Sequence, residues 1–186
     1  MKNSFLLLLL LTLSPILVSA QKYFTKSGRI DFSATAPSSP EKIEAVHKTV
    51  TCVLDAATGQ LQFSLLIQGF TFERALMQEH FNENYMESGK FPKAEFKGSI
   101  TNNTAVNYSK DGDYTVTVKG KLTLHGEARE VETTGKIAIK GGKISASANF
   151  SAVLSEYKIE VPALVSDKVS KTATIKVACS LEPLKS

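Results

Sequence analysis

The chain has 186 residues, with 22 Lys and Arg against 18 Asp and Glu for a formal charge of +4. That balance is too weak to point to a nucleic-acid partner. The cations also alternate with acidic and neutral residues, as in Glu127-Ala128-Arg129-Glu130, instead of forming the cluster that a phosphate backbone needs.

Residues 1–20 read as an export signal: Lys2 supplies the positive start, Phe5 to Leu13 is apolar, and Val18-Ser19-Ala20 offers small residues for cleavage. Ser14-Pro15 interrupts the run, which is short for a membrane span, so the expected product begins near Gln21 and has no integral membrane span. No cysteine stands next to the cleavage point to carry a lipid anchor, and a periplasmic or secreted protein is expected. Residues 21–186 suit one domain, able to bury roughly 70% of its unfolded surface. They hold 21 basic and 18 acidic residues, a formal balance of +3.

Most of this domain alternates with a period of two, the mark of strands with one apolar and one polar face. Strands are expected over Gly28 to Ala34 and Ile43 to Leu54, followed by the turn sequence Asp55-Ala56-Ala57-Thr58-Gly59. Next, Leu61, Phe63, Leu65 and Ile67 alternate with Gln62, Ser64 and Gln68. From Phe72 to Met86 the pattern changes to good helix formers, and the reading is a short helix. Leu76, Met77, Phe81 and Tyr85 would share its apolar face, Gln78, Glu79, Asn82 and Glu83 would face water, and Gly89 and Pro92 would end it. A strand over Ala94 to Ile100 places Phe96 with the apolar residues. Beyond it Tyr114, Val116, Val118, Leu122 and Leu124 alternate with Thr115, Thr117, Lys119, Lys121 and Thr123. Strands over Val131 to Ile139 and Ile144 to Leu154 flank Gly141-Gly142, where glycine permits positive φ, and Phe150 joins Ile144 on the apolar face. The last strand sets Ala173, Ile175, Val177 and Cys179 against Thr174 and Lys176.

About eight strands joined by short turns imply an all-β, antiparallel fold, either a closed barrel or a sandwich, and closure removes the edges that invite aggregation. Gly98, Gly120, Ala146, Ala148 and Ala152 share parity with apolar neighbours, so they leave internal volume unless larger side chains pack against them. Cys52 and Cys179 are the only cysteines. In an oxidising compartment they could bridge, closing a loop of over a hundred residues for on the order of 4 kcal/mol. Two inert buried thiols fit the same pattern.

Three blocks are more specific than alternation. Gly69-Phe70-Thr71-Phe72-Glu73-Arg74-Ala75-Leu76-Met77-Gln78-Glu79-His80-Phe81-Asn82-Glu83-Asn84-Tyr85-Met86 is followed by Phe91-Pro92-Lys93-Ala94-Glu95-Phe96-Lys97-Gly98. Gly120-Lys121-Leu122-Thr123-Leu124-His125-Gly126 comes next, and Phe150-Ser151-Ala152-Val153-Leu154-Ser155-Glu156-Tyr157-Lys158-Ile159 ends the series. In this order the chain resembles the YceI-like family. The resemblance implies a lipocalin-like, eight-stranded antiparallel barrel with a short helix near one end and, in characterised relatives, a long isoprenoid chain in the cavity.

No chemistry stands out against this. His47, His80 and His125 are too scattered for metal-ligand spacing, and His125 near Glu127 and Arg129 also describes an ordinary loop. There is no Gly-x-Ser-x-Gly elbow, phosphate loop or dinucleotide fingerprint, so no catalytic residue, metal or required cofactor is expected. The expected function is non-catalytic binding, storage or transport of a long apolar lipid, an isoprenoid or isoprenoid quinone, in the cavity. A filled barrel acting as an envelope interaction scaffold and an enzyme acting on a bound lipid are the alternatives, and a homodimer is compatible with either. By parity the ligand-lining candidates are Phe63, Leu65, Ile67, Phe96, Val116 and Val118, then Leu122, Ile144, Phe150, Ile175 and Val177. From the helix come Phe81, Tyr85 and Met86, as a cover over one end.

Overall fold

The computed structural model describes residues 21–184, so the expected leader over residues 1–20 lies outside the described residues. Nine strands follow in order: β1 (Lys22–Thr35), β2 (Glu44–Asp55), β3 (Gln60–Leu66), β4 (Thr71–Phe72), β5 (Lys93–Ile100), β6 (Gly112–Leu124), β7 (Glu127–Lys140), β8 (Lys143–Val153) and β9 (Val169–Pro183). Every pairing is antiparallel, and the sheet runs β1-β9-β8-β7-β6-β5-β3-β2 before closing through β1 with β2. Eight strands thus form a closed barrel. The two-residue β4 is an appendage that pairs with the first half of β2 through Ala45 and Phe72, while β3 pairs with the second half.

Turn chemistry closes the neighbours. Asp55 Oδ1 accepts from the Ala57 and Thr58 amides, at 3.0 and 3.1 Å, ahead of left-handed Gly59. Gly141-Gly142, with φ of 56° and 75°, joins β7 to β8, and His125-Gly126, with φ of 50° and 75°, joins β6 to β7 in the same primed geometry. Close approach also demands glycine at Gly69, where an added Cβ would lie 2.2 Å from His47 Nε2.

The lower end of the barrel is a dry cluster that includes Tyr23, Leu54, Leu61, Val116, Ile144 and Leu181. Cys52 and Cys179 are free, buried thiols in it. They lie on β2 and β9, the two strands flanking β1, and the Cys179 Sγ occupies the space beside Gly28. Adjacency to the Cys179 thiol, and then burial, push the Cys52 thiol up. Gly98 and Gly120 stand opposite one another, and the Phe96 ring covers both, so the room they leave is filled.

The helical reading is corrected in detail. Phe72 is a strand residue, its ring buried and its amide donating to Gln78 Oε1 at 3.2 Å, so Gln78 is half-buried and does not simply face water. Arg74 is still extended, and the helix α1 covers only Ala75–His80 before widening into a π-helical turn over Phe81–Tyr85. Leu76 is 62% exposed and does not join the buried face. Left-handed Glu87 follows Met86 and ends the segment, ahead of the expected stop at Gly89. No helix among the described residues is long and apolar enough to cross a membrane.

One seam interrupts the wall. β7 pairs with β6 along its whole useful length, Gly112↔Ile139 to Leu124↔Glu127, but with β8 only from Gly135↔Ala148 to Lys140↔Lys143. Above that point the Thr133 hydroxyl donates to the Asn149 carbonyl at 2.9 Å, and β8 stays paired with β9 alone.

Candidate functional site

The upper end is where the barrel is not filled by its own side chains. A cavity of about 580 Å³ lies beneath α1 and the π-turn, within the range of ligand-sized pockets. Its walls are inward residues of β1, β3, β6, β8 and β9, such as Phe32, Leu65, Leu124, Ala152 and Ile175. The cover comes from the β3–β5 excursion, whose sequence alternates Phe70 and Phe72 into the barrel and then turns Phe81 down from the helix. Phe81 meets three rings at once, with centroids 4.9 Å from Phe72, 5.5 Å from Phe70 and 5.6 Å from Phe32. Such tilted and edge-on contacts favour a fixed arrangement over free rotation.

Polar side chains are confined to the rim. Glu41 accepts from Arg74 and lies 3.8 Å from Lys168 Nζ, and His80 lines the same opening. Tyr85 also lines it, and burial pushes its phenol up. A second, smaller cavity of about 110 Å³ lies below the first, lined by residues that include Phe63, Phe96, Val118 and Val177.

The cover is tied to the barrel at one junction. His125, 8% exposed, places Nε2 2.8 Å from Glu87 Oε2 and Nδ1 3.0 Å from the Tyr157 carbonyl, while Phe91 packs edge-on at 4.6 Å. It makes no hydrogen bond with its sequence neighbours Glu127 and Arg129. Glu127 instead pairs with Lys158 at 2.6 Å and Arg129 at 3.2 Å, and the Lys158 hydrogen bond is the main reason its carboxyl is held low. His47 is also buried, its Nε2 donating to the Leu66 carbonyl and its Nδ1 accepting from the Thr49 amide. Among the described residues no three His, Cys, Asp or Glu side chains converge on a metal-sized site.

The candidates chosen by parity fall into three places. Leu65, Ile67, Phe81, Tyr85, Met86 and Ile175 line the upper cavity. Phe63, Phe96, Val116, Val118 and Val177 line the lower one, and Leu122 and Phe150, like Leu65, border both. Ile144 borders neither and is packed into the dry cluster at 2% exposure. Sequence reasoning missed Phe32, Phe70 and Phe72 and the rim residues Glu41, Arg74 and Lys168. The Phe70-Thr71-Phe72 alternation was the available signal for two of these. Nothing local marks the rim, since its members come from three separate loops.

The YceI-like domain model matches residues 20–181. Among solved structures, a polyisoprenoid binding domain from Saccharophagus degradans, implicated in plant cell wall breakdown, superposes with a TM-score of 0.74 at 12% identity, over 89% of this chain and 99% of that one. Burkholderia cenocepacia BcnA gives 0.66 at 15% identity, over 83% and 96%. A Campylobacter jejuni YCEI protein gives 0.55 at 16% identity, over 78% and 87%. No curated protein matches the chain. At these identities the structures testify to the shared barrel, while the domain match spans nearly all of the described residues: the chain belongs to the YceI-like domain family.

Proposed function

We propose that this chain binds a long apolar lipid of the isoprenoid or isoprenoid-quinone class in its upper cavity and stores or carries it, without chemical conversion, as a periplasmic or secreted protein. The observation that carries the reading is the apolar cavity of about 580 Å³ with polar groups only at its rim. An aliphatic tail placed there leaves water at about 0.8 kcal/mol per methylene, which exceeds the ordering cost after a few isoprene units. A head group would remain at the rim beside Glu41, Arg74, His80 and Lys168. The polyisoprenoid binding domain of Saccharophagus degradans supports the ligand class by likeness of fold.

Organic extraction of the purified full chain, followed by mass spectrometry, tests this. Recovery of a stoichiometric isoprenoid supports it. Protein that is reproducibly ligand-free and takes up no added prenol overturns it, and consumption of the extracted lipid over many turnovers overturns the non-catalytic part.

A further inference from the structure

The two most exposed large apolar side chains among the described residues are Leu164, at 92%, and Leu76, at 62%. They come from distant parts of the chain and stand on two banks of the same opening. Leu76 lines the mouth of the upper cavity from α1, and Leu164 immediately precedes Val165, which lines it from the β8–β9 connection. Glu41 ties the banks together: it accepts from Arg74, close before Leu76, and lies 3.8 Å from Lys168 Nζ, close after Leu164.

The backbone holds Leu164 outward. Val161-Pro162-Ala163-Leu164-Val165 is an uninterrupted apolar run, which a surface loop ordinarily avoids. It folds into a 3₁₀ turn over Ala163–Val165, where the Val165 amide donates to the Pro162 carbonyl at 3.0 Å and the Ser166 hydroxyl to the Ala163 carbonyl at 2.8 Å. The Ala36 amide fixes the far end by donating to the Lys168 carbonyl at 2.9 Å. Val165 is thereby turned to the mouth and Leu164 to water, where it packs against almost nothing.

We propose that this lip is a membrane-docking surface: Leu164 and Leu76 enter the headgroup region of a phospholipid bilayer and bring the cavity mouth against it. Attachment needs only the lip, while its use in taking up or delivering an apolar chain rests on the lipid-binding reading. A second copy of this chain fits the surface poorly. A stable protein interface takes about 800 Å² and roughly 20 to 30 residues from each partner, whereas the two leucines are separated by an open mouth with a charged rim. A bilayer asks for no matching shape, and separate apolar tips partition into it independently. Arg74 and Lys168 have long stems that can lie in the apolar layer while their charges meet headgroup phosphates. Their sequence neighbours Glu73 and Asp167 keep the lip from being a field of positive charge, so insertion of the leucines carries the attachment.

The test is flotation of the delipidated full chain with phosphatidylcholine vesicles, alone and mixed with phosphatidylglycerol, with a thermal melt of each variant. Wild type should float with both, and raised salt should leave its binding to the neutral vesicles unchanged. Leu164→Asp, and independently Leu76→Ser, should weaken binding by about tenfold or more. Leu184→Ser, at an exposed leucine on the opposite end of the barrel, should bind as wild type does. Delivery of geranylgeraniol from loaded wild type should quicken with the concentration of acceptor vesicles, and Leu164→Asp should remove that dependence. Wild type that floats with neither vesicle overturns the docking surface, and so does Leu164→Asp that melts normally and floats as well as wild type. A dimer in sedimentation velocity that Leu164→Asp dissociates overturns it too, by giving the leucine to a second copy. Flotation that depends on Leu164 in a protein that takes up no geranylgeraniol upholds the docking surface while the lipid-binding reading falls.

Discussion

Replacing Phe81 with alanine separates the cover's two duties, packing and ligand contact. The ring is 8% exposed and is the hub of the Phe32, Phe70 and Phe72 cluster, so its loss removes three aromatic contacts together. Core Phe→Ala changes cost about 3 to 5 kcal/mol. One side of this ring already borders the upper cavity, so the void adds to existing space and leaves fewer orphaned contacts than a sealed one would. The expected loss is therefore at the lower bound, about 3 kcal/mol. For a domain of this size that is a fall in Tm of roughly 6 to 12 °C. Geranylgeraniol dissociation, followed by transfer to acceptor vesicles, should accelerate by about tenfold. Leu76→Ala is the comparison: at 62% exposure on the rim it should change stability by less than about 0.5 kcal/mol. A large fall in Tm with unchanged dissociation would assign Phe81 to packing alone and refute its part in holding ligand.

Val118→Asp places a carboxylate in the apolar wall of the lower cavity and should cost on the order of 3 kcal/mol or more; a normal urea midpoint would count against its inward orientation. Glu87→Ala leaves His125 Nε2 without its carboxylate, and amide exchange across Phe81 to Ser88 should speed up with a stability loss of about 1 to 3 kcal/mol, whereas unchanged exchange would show that the junction does not hold the cover. Burial, and then Tyr23, push the Tyr108 phenol up to about 12. The unfolded chain loses that proton first, near pH 10, so stability should fall between about pH 10 and pH 12 and Tyr108→Phe should flatten that slope. Cys52 and Cys179 stand on strands separated by β1, about two strand spacings apart and beyond the Cα range of a disulfide, so both thiols should remain alkylatable after refolding with oxidised glutathione, and a bridged product would refute that separation.

How far the sequence discloses the fold depends on how long its alternation runs. Along β6 the even positions Tyr114 to Leu124 face inward without interruption, and both faces are readable. β1 is harder because the register slips between Thr25 and Gly28, with Lys26 and Ser27 exposed between two buried positions. A period-two pattern loses phase there, so only Gly28 to Ala34 reads as strand although pairing begins at Lys22. The start of β7 is obscured for a different reason. Glu127 to Thr134 has no β8 partner, its inward positions are only half-buried, and polar residues are therefore tolerated on both faces. The β4 strand was hidden by its brevity, since two residues carry no period and Phe72 is strand only because Ala45 stands across from it.

The site was legible where a single strand sufficed and illegible where closure was needed. Leu65, Leu122 and Phe150 follow from parity alone, whereas the Glu41, Arg74 and Lys168 contacts exist only once three distant loops meet at the rim. Backbone strain marks the same end of the molecule. The only non-glycine residues with positive φ among those described are Glu87, His125 and Lys158, at 42°, 50° and 55°. Glu87 bonds to His125, His125 to the carbonyl of Tyr157, and Lys158 to Glu127, so all three fall on one junction. Left-handed side chains cost free energy that surrounding structure must offset, and such residues gather where geometry is held for a purpose. Here the junction pins the cover at its Met86 to Ser88 end to both the β6–β7 turn and the β8–β9 connection. The opposite end, at Arg74 to Met77, is held by the Arg74–Glu41 ion pair and by the pairing of β4 with β2, and presents exposed Leu76 to the opening. The cover is therefore tied at both ends, to β6 and β7 through this junction and to β2 and the β1–β2 loop through Phe72 and Arg74, beside the opening where an apolar tail would enter.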